Sequence, residues 1–221
     1  MKRITDAERA RAVQILDRLD AAMPEAKIEL DYATPLQLLM AVLLAAQCTD
    51  KRVNLVTPAL FAAFPTAATL AASSPPELEP YIASLGLFRN KARALVALGQ
   101  ALVRDHGGVV PIDRALLAEL PGVGAKTAGV VALHLQGTPS FPVDTHVGRL
   151  ARRMDFSRAT DPDKVEADLV RLVPQARWEK GHQLLVWHGR RTCLALRPDC
   201  AACVVSALCP KRGVKPAKTK S

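Results

Sequence analysis

The chain has 221 residues with 49% hydrophobic content, enough to bury a sizeable core in one or two domains. Its 30 Lys and Arg residues against 21 Asp and Glu residues give a formal net charge of +9. This excess of positive charge favours a polyanionic partner, and nucleic acid is the first candidate. The alternative is a basic protein that has no such partner. The longest apolar run, residues 38–46, is too short to span a bilayer, and no signal peptide precedes the first polar helix. We therefore expect a soluble, cytoplasmic protein without a membrane segment.

Helical patterns dominate the first half of the chain, and no segment gives a convincing strand. A capping box at residues 5–8 opens the first helix. A proline directly after Thr34 opens a second helix, which is apolar nearly all round. A third helix starts at Asp50, and we expect Thr57-Pro58 to break or kink it. Asn90 is expected to cap a longer helix that follows it.

Two turns in this half carry side chains of interest. From the residues alone, Gln47 is a polar residue at a helix end, and Cys48, outside any cluster spacing, is a small buried residue. Residues 86–89 form the other turn and present Leu87 and Phe88 beside basic side chains. Such an apolar wedge suits insertion into a base stack, although both residues could equally be core residues that close a helix corner.

A pair of helices joined by a Gly-x-Gly turn follows. Asp113 is expected to cap the first helix, and residues 125–135 form the second. Gly122 and Gly124, on either side of Val123, permit backbone angles closed to other residues. The turn therefore presents backbone N–H groups at a helix N-terminus, where a phosphate oxygen can bind. Such a helix–hairpin–helix grips the DNA backbone without reading sequence; a corner whose glycines only allow close packing is the alternative.

The hairpin sequence LPGVGAKTA, followed 18 positions after its lysine by the aspartate of VDTHV, resembles the endonuclease III family of DNA glycosylases with AP-lyase activity. The resemblance covers about residues 34–209. It implies that Lys126 is the catalytic amine and Asp144 the catalytic carboxylate. An amine can form a Schiff base with the sugar, and a carboxylate can stabilise oxocarbenium-like charge. From the residues alone, Lys126 could be a phosphate-binding lysine and Asp144 an N-cap for the helix opening at Thr145.

The same resemblance implies contacts with DNA. Gln47 would enter the space left by a flipped nucleotide, and Leu87 would act as the wedge, with Phe88 as the second candidate. His146 matches a family histidine that either contacts phosphate or orders its loop by hydrogen bonding, and we favour the second role. The hairpin turn and Arg197, which the cysteine loop could bring to phosphate, complete the predicted set. The predicted DNA-binding residues are Gln47, Leu87, Phe88, Gly122, Val123, Gly124, His146 and Arg197.

Helical patterns continue beyond Asp144. The first of these helices is basic, and we expect its four cationic side chains to lie near phosphate or solvent. These side chains are His146, Arg149, Arg152 and Arg153. Asp161-Pro162 opens a further helix, and residues 178–188 form the last one.

The C-terminal segment contains four cysteines with the spacing C-x6-C-x2-C-x5-C, namely Cys193, Cys200, Cys203 and Cys209. Thiolates this close in sequence can converge on one centre, whereas zinc ribbons usually pair two C-x2-C knuckles across a longer loop. The asymmetric spacing resembles the [4Fe–4S] loop of endonuclease III proteins, which implies such a cluster, with zinc as the alternative. The cluster would fix a loop that has little core of its own, and with it Arg197. The basic tail at residues 211–221 is expected to be disordered and to add non-specific attraction.

By this resemblance, the predicted architecture is all-α with two helical lobes. One lobe is a six-helix barrel at residues 28–138 that contains the helix–hairpin–helix at about residues 113–136. The other combines residues 1–27 with residues 139–221 and carries the cluster. We expect a nucleoid-associated monomer that flips damaged nucleotides out of duplex DNA and removes oxidised pyrimidines as a bifunctional glycosylase and AP lyase.

Two alternatives stay open at this point. An adenine glycosylase of the same superfamily would lack a lysine at the position of Lys126. It would also carry an acid in the helix that here reads PLQLLMAVLLAAQ, which contains none. The second alternative is a lesion-binding paralogue with little or no activity, which would keep the same motifs.

Overall fold

A computed structural model describes residues 4–136 and 139–214, so residues 215–221 of the predicted tail lie outside the described residues. Within these ranges the chain is helical and contains no strand. No helix in the described part of the chain has both the length and the apolar character needed to cross a membrane. The described helices are α1 (Asp6–Ala22), α2 (Pro35–Leu44), α3 (Asp50–Ala63), α4 (Ala67–Ala72), α5 (Pro75–Ile82), α6 (Phe88–His106), α7 (Arg114–Glu119), α8 (Ala125–His134), α9 (Thr145–Arg153), α10 (Pro162–Leu172) and α11 (Trp178–Arg191), with a 3₁₀ turn at Gln175–Arg177.

Contacts between Cα atoms divide the chain into two compact units. One unit consists of residues 29–139, and the other combines residues 1–28 with residues 140–221. Helices α2 to α8 therefore belong to the first unit, and α1 with α9 to α11 belong to the second.

Helix α2 supplies much of the core of the first unit. Its residues Leu38, Leu39 and Met40 are fully buried, and the helix packs against α3, α6 and α8. A nearly continuous apolar sequence predicts this burial on several sides. A second set of contacts joins α4 and α5 to α6. The backbone of α4 comes close because Gly99 of α6 has no side chain: a Cβ there would lie 2.6 Å from the Cβ of Leu70.

The core of the second unit is built around α1, α9 and α11. The capping box at the start of α1 has the predicted form: Thr5 Oγ1 accepts from the Glu8 N–H at 3.2 Å, and Glu8 Oε2 accepts from the Thr5 N–H at 2.8 Å. Helix α11 packs against both α1 and α9. The apolar stripe of α1 is fully buried and consists of Ala12, Ile15, Leu16 and Leu19.

The prediction that Thr57-Pro58 breaks the third helix is wrong, whereas the alternative of a kink stays a prediction. Helix α3 runs unbroken through Pro58, because its buried face continues on both sides of the proline, at Thr57 and Leu60. Its start is fixed by Thr49, whose side chain accepts a hydrogen bond from the Arg52 N–H at 3.3 Å. Tertiary packing and capping together outweigh the loss of one helical hydrogen bond at the proline.

The predicted start of α6 is also wrong. The helix begins at Phe88 rather than after Asn90, because Leu87 adopts left-handed backbone angles (φ 58°) and turns the chain into the helix earlier. Asn90 lies inside the first turn and accepts a hydrogen bond from Arg93. Cys48, expected to be buried, is half-buried in the turn between α2 and α3.

Candidate nucleic-acid interface and cysteine loop

The predicted hairpin consists of α7, a short turn and α8, and its two helices pack against each other. Asp113 begins α7 as expected: its Oδ1 accepts hydrogen bonds from the N–H groups of Ala115 and Leu116 at 2.8 and 3.2 Å. Gly122 has a φ of 76°, and a Cβ at this position would lie 2.9 Å from the Cβ of Ala94. Both its backbone angle and its packing therefore require glycine.

Gly124 has a different role from Gly122. Its φ of −82° and ψ of 169° are open to any residue, so the expectation of special backbone angles is wrong here. A Cβ at Gly124 would meet no atom within 4 Å. The missing side chain instead leaves the N–H groups of the first turn of α8 uncovered, as anion binding requires. Lys126, the second residue of α8, is exposed in that turn.

Asp144 begins α9. Its Oδ1 accepts a hydrogen bond from the Val147 N–H at 2.7 Å, which makes Asp144 the N-cap of the helix. The residue is half-buried, and Oδ2 takes no part in the capping bond. The cap therefore fixes the direction of the carboxylate and leaves one oxygen for other contacts.

His146 and Arg149 of α9 contact protein groups. Arg149 Nη2 lies 3.2 Å from His146 Nδ1 and donates to the carbonyl oxygen of Gly189 at 2.8 Å. Helix α11 approaches this closely because Gly189 has no side chain; a Cβ there would lie 2.9 Å from the Cβ of His146. Burial lowers the pKa of the Arg149 guanidinium. The contact agrees with the loop-ordering role favoured for His146. Arg149, expected near phosphate or solvent, instead donates hydrogen bonds to protein groups.

Arg153 departs furthest from the sequence prediction, because only 9% of the residue is exposed. Its Nη1 donates to the Leu194 carbonyl oxygen at 2.7 Å and to Cys193 Sγ at 3.2 Å. Its Nη2 donates to the Ala195 carbonyl oxygen at 2.6 Å. A guanidinium can be buried when its donors are satisfied, and here the backbone of the cysteine loop satisfies them. Helix α9 thus holds the first segment of that loop.

The four C-terminal cysteines line one cavity, together with Arg153 and His188. Cys203 Sγ lies 3.5 Å from His188 Nε2, and the Lys211 N–H donates to Cys209 Sγ at 3.4 Å. None of the four takes part in a disulfide. Across residues 4–136 and 139–214, no three His, Cys, Asp or Glu side chains are grouped closely enough to hold a single metal ion.

The electrostatic surroundings of these sulfurs differ from those of exposed thiols. Burial raises the pKa of the Cys203 and Cys209 thiols. Burial also lowers the pKa of His188 to about 4, so this ring is neutral at pH 7. The donors directed at sulfur, from Arg153 and from the Lys211 backbone, are those that stabilise thiolate ligands. Burial and these donors act in opposite directions on a thiolate, and the donors reach Cys193 and Cys209, two of the four sulfurs.

The remaining predicted DNA contacts lie at the surface. Gln47 and Leu87 are both exposed, and both have left-handed backbone angles, with φ of 57° and 58°. Phe88 is half-buried, and the guanidinium of Arg89 lies 5.3 Å from the centre of its ring. Leu87 is therefore the more exposed apolar side chain of this turn. Arg197 is exposed on the cysteine loop.

Two residues that shape these sites were missed in the sequence. Lys91 is buried in α6, and its position at i relative to Leu95 (i+4), Leu98 (i+7) and Leu102 (i+11) would have revealed this. Gly189 allows α11 to approach α9, and nothing in its local sequence signals that contact.

Comparisons with known proteins agree with this geometry. A family model described as "HhH-GPD superfamily base excision DNA repair protein" matches residues 40–175. Endonuclease III from Synechocystis sp. (strain ATCC 27184 / PCC 6803 / Kazusa) is 45% identical over 205 residues, which cover 92% of this chain and 94% of that protein. Endonuclease III from Escherichia coli (strain K12) is 38% identical, with 91% and 95% covered. A solved structure of a trapped endonuclease III–DNA covalent intermediate (estranged-adenine complex) has a TM-score of 0.86 and 40% identity, and covers 95% of this chain and 97% of its own.

The all-α fold and the hairpin turn define a helix–hairpin–helix protein of base excision DNA repair. Within that superfamily the chain belongs to the endonuclease III family, a family of DNA glycosylases with AP-lyase activity. The resemblance that the hairpin motif carries is thereby confirmed, and so is the all-α fold class.

Replacing Arg153 by methionine should loosen the cysteine loop. We expect Arg153→Met to lower the free energy of unfolding by about 2–3 kcal/mol, because backbone carbonyls lose a charged donor. Proteases should then cut more readily within residues 193–200. Arg152→Met, at the preceding position of α9, is the control and should change neither quantity appreciably. Unchanged resistance of the loop to proteases in Arg153→Met would show that Arg153 does not hold the loop in place.

Proposed function

We propose that this chain removes oxidised pyrimidines from duplex DNA as a bifunctional glycosylase and AP lyase. The observation that carries the proposal is the start of α8, where an uncovered turn and the exposed Lys126 share one helix end. Membership of the endonuclease III family supports the reaction class. We further propose that it acts as a monomer on the DNA of the nucleoid, for which its net charge of +9 supplies attraction.

The hairpin is proposed to hold the DNA backbone. The first N–H groups of any α-helix have no partner within the helix, and their positive end attracts phosphate. Gly122, Val123 and Gly124 are predicted to contact phosphate. The N–H of Val123 is already used, because it donates to the Leu120 carbonyl oxygen at 3.0 Å. The phosphate contact therefore falls mainly to Gly124 and the α8 N–H groups after it. Binding of this kind positions DNA without sequence preference.

Lys126 is proposed as the nucleophile. Its neutral amine attacks the sugar C1′, the N–C1′ bond forms, and the N-glycosidic bond to the damaged base breaks. Opening of the sugar ring gives a Schiff base, and loss of a C2′ proton then expels the 3′ phosphate by β-elimination. The exposure of Lys126 beside a phosphate-binding turn supports this role, because the amine must reach a nucleotide that has left the base stack.

Asp144 is proposed to stabilise the charge that develops on the sugar and to assist the proton transfers. Its capping bond to Val147 supports this role, because the bond holds the carboxylate in one orientation before substrate arrives. A group fixed in this way needs little reorganisation in the transition state. Structural and catalytic roles are thus proposed for the same side chain.

The other contacts are proposed from position and exposure. Leu87 is the wedge and Gln47 fills the space of the flipped nucleotide, since both are exposed. Phe88, which is half-buried, is proposed as the second candidate for the wedge. Arg197 contacts phosphate from the cysteine loop. His146 is proposed to act on DNA binding indirectly. Its contact with Arg149 helps to order the start of α9.

The cofactor proposed for the cysteine loop is a [4Fe–4S] cluster held by Cys193, Cys200, Cys203 and Cys209. The single cavity that these residues line supports the assignment, as do the N–H donors directed at two of the sulfurs. The cluster would supply structural cross-linking of the loop and no step of the reaction. In the same way, we propose that residues 1–27 with 139–221 form the cluster domain and residues 28–138 the hairpin domain, and the division at residues 28/29 and 139/140 supports this.

Borohydride trapping tests the nucleophile. Incubating the protein with abasic duplex DNA and borohydride should give a covalent adduct, because hydride reduces the Schiff base to a stable amine. Lys126→Ala should give no adduct and cut strand scission by roughly 10³-fold or more. Lys51→Ala is the matched control, since Lys51 is also the exposed second residue of a helix, and it should still be trapped. Trapping of Lys126→Ala at the parent level, or no adduct with any form, would refute the proposal.

The two roles of Asp144 can be separated by substitution. Asp144→Asn keeps an N-cap acceptor but removes the charge, so the free energy of unfolding should change by less than about 1 kcal/mol. Excision of the damaged base should nevertheless slow by roughly 10²- to 10³-fold. Asp161→Asn makes the same change at the N-cap of α10 and should affect neither quantity. Parent-like excision by Asp144→Asn would show that the carboxylate is only a cap.

Metal analysis tests the cofactor. Protein purified without oxygen should contain four iron and four acid-labile sulfide ions per chain, in line with a [4Fe–4S] centre. Cys200→Ser should lose much of both, whereas Cys48→Ser, outside the loop, should keep them. One zinc ion per chain without sulfide would replace this assignment by the zinc alternative.

A further inference from the structure

The two turns proposed to enter the DNA share an unusual backbone state. Gln47 and Leu87 are not glycines, yet both adopt left-handed angles, with φ of 57° and 58°. Such a conformation is strained for a residue with a Cβ and persists only when its surroundings enforce it. Both turns belong to the unit formed by residues 29–139, so the groups that enforce the two conformations can be identified there.

A side-chain hydrogen bond joins the two turns. Lys91 Nζ lies 3.1 Å from the sulfur of Cys48, the residue directly after Gln47. Lys91 itself belongs to the first turn of α6, where its N–H donates to the carbonyl oxygen of Leu87 at 3.0 Å. The Lys91–Cys48 bond therefore links the turn that contains Gln47 to the first turn of α6, which follows Leu87.

The burial of Lys91 leaves its amino group dependent on this contact, because water has little access to it. Only 5% of the residue is exposed, and an ammonium group is buried at little net cost only when it is paired. The sulfur of Cys48 supplies an acceptor at that position, and it is polarisable. A second link, between Arg52 Nε and the Ser84 carbonyl oxygen at 2.8 Å, joins the start of α3 to the end of α5 at the exposed edge of the same region.

We propose that Lys91 and Cys48 are positioning residues that hold the Gln47 and Leu87 turns at a fixed separation, so that both side chains enter the DNA helix together. The inference rests on the proposed function, because it assigns these turns to base opening. A preformed pair of turns loses little conformational freedom when DNA binds, whereas two independent turns would have to be ordered at that moment. The pair acts through Gln47 and Leu87 and does not touch the reacting sugar.

Two substrates separate this role from a general structural one. A duplex with one oxidised thymine requires base opening, whereas a single-stranded oligonucleotide with a preformed abasic site does not. Under single-turnover conditions, Cys48→Ala should slow excision from the duplex by roughly 10-fold or more. Strand scission at the single-stranded abasic site should stay within about two-fold of the parent rate, since Lys126 and Asp144 are untouched.

Further variants make the test specific. Cys48→Ser keeps an acceptor and should restore duplex excision to within about three-fold of the parent. Lys91→Met should resemble Cys48→Ala, and the double variant should be no slower than either, because both substitutions remove the same bond. If Lys91→Met does not fold, the comparison of Cys48→Ala with Cys48→Ser decides the question. Gln100→Ala, exposed on α6, is the control and should match the parent on both substrates.

The outcomes distinguish the two levels of the proposal. Parent-like duplex excision by Cys48→Ala, or an equal loss on both substrates, would overturn the positioning role while leaving the proposed function intact. A parent protein that neither excises the base nor cuts at the abasic site would overturn the proposed function, and the positioning role with it. Loss confined to the duplex, with rescue by Cys48→Ser, supports the proposal.

Discussion

A single helix of nine residues, α9, connects the proposed acid to the cysteine loop. Its N-terminus is fixed by the 2.7 Å bond from the Val147 N–H to Asp144, and its last turn supplies Arg153, whose guanidinium binds the loop. A displacement of the cysteine loop would therefore displace α9, the helix that orients the Asp144 carboxylate. Under the proposed role of Asp144, the cysteine loop would affect the position of the carboxylate without contributing a reacting group.

The hairpin divides its two glycines between structure and ligand access. Gly122 is required by its positive φ and by the 2.9 Å that a Cβ would have to Ala94, so it anchors the turn within its own unit. Gly124 satisfies neither condition, and nothing would obstruct a side chain there. A glycine that neither backbone nor packing requires is best explained by a partner outside the protein that must approach the backbone.

Periodicity and capping predicted most helices correctly, because these signals are local: the buried stripe of α1 and the N-caps at Asp113 and Asp144 follow from spacing alone. What the sequence could not predict depends on distant partners. Arg153 resembles a solvated cation until the carbonyl groups of residues 194 and 195 approach it. The early start of α6 depends on the left-handed angles of Leu87, which no propensity favours for leucine. The pairing of Lys91 with Cys48 spans 43 positions, beyond any local pattern.

The left-handed backbone angles of Gln47 and Leu87 can be related to the energy of base opening. Each such residue stores on the order of 1–3 kcal/mol of strain, which the surrounding helices must offset in the folded protein. Opening a damaged base pair requires a similar few kcal/mol, and less than for an intact pair. In the proposed role, the exposed side chains of Gln47 and Leu87 need little reordering when DNA arrives, so more of the binding energy remains for opening the pair. Damaged bases that pair weakly would then be opened more readily, even though the Gln47 and Leu87 turns do not recognise the base itself.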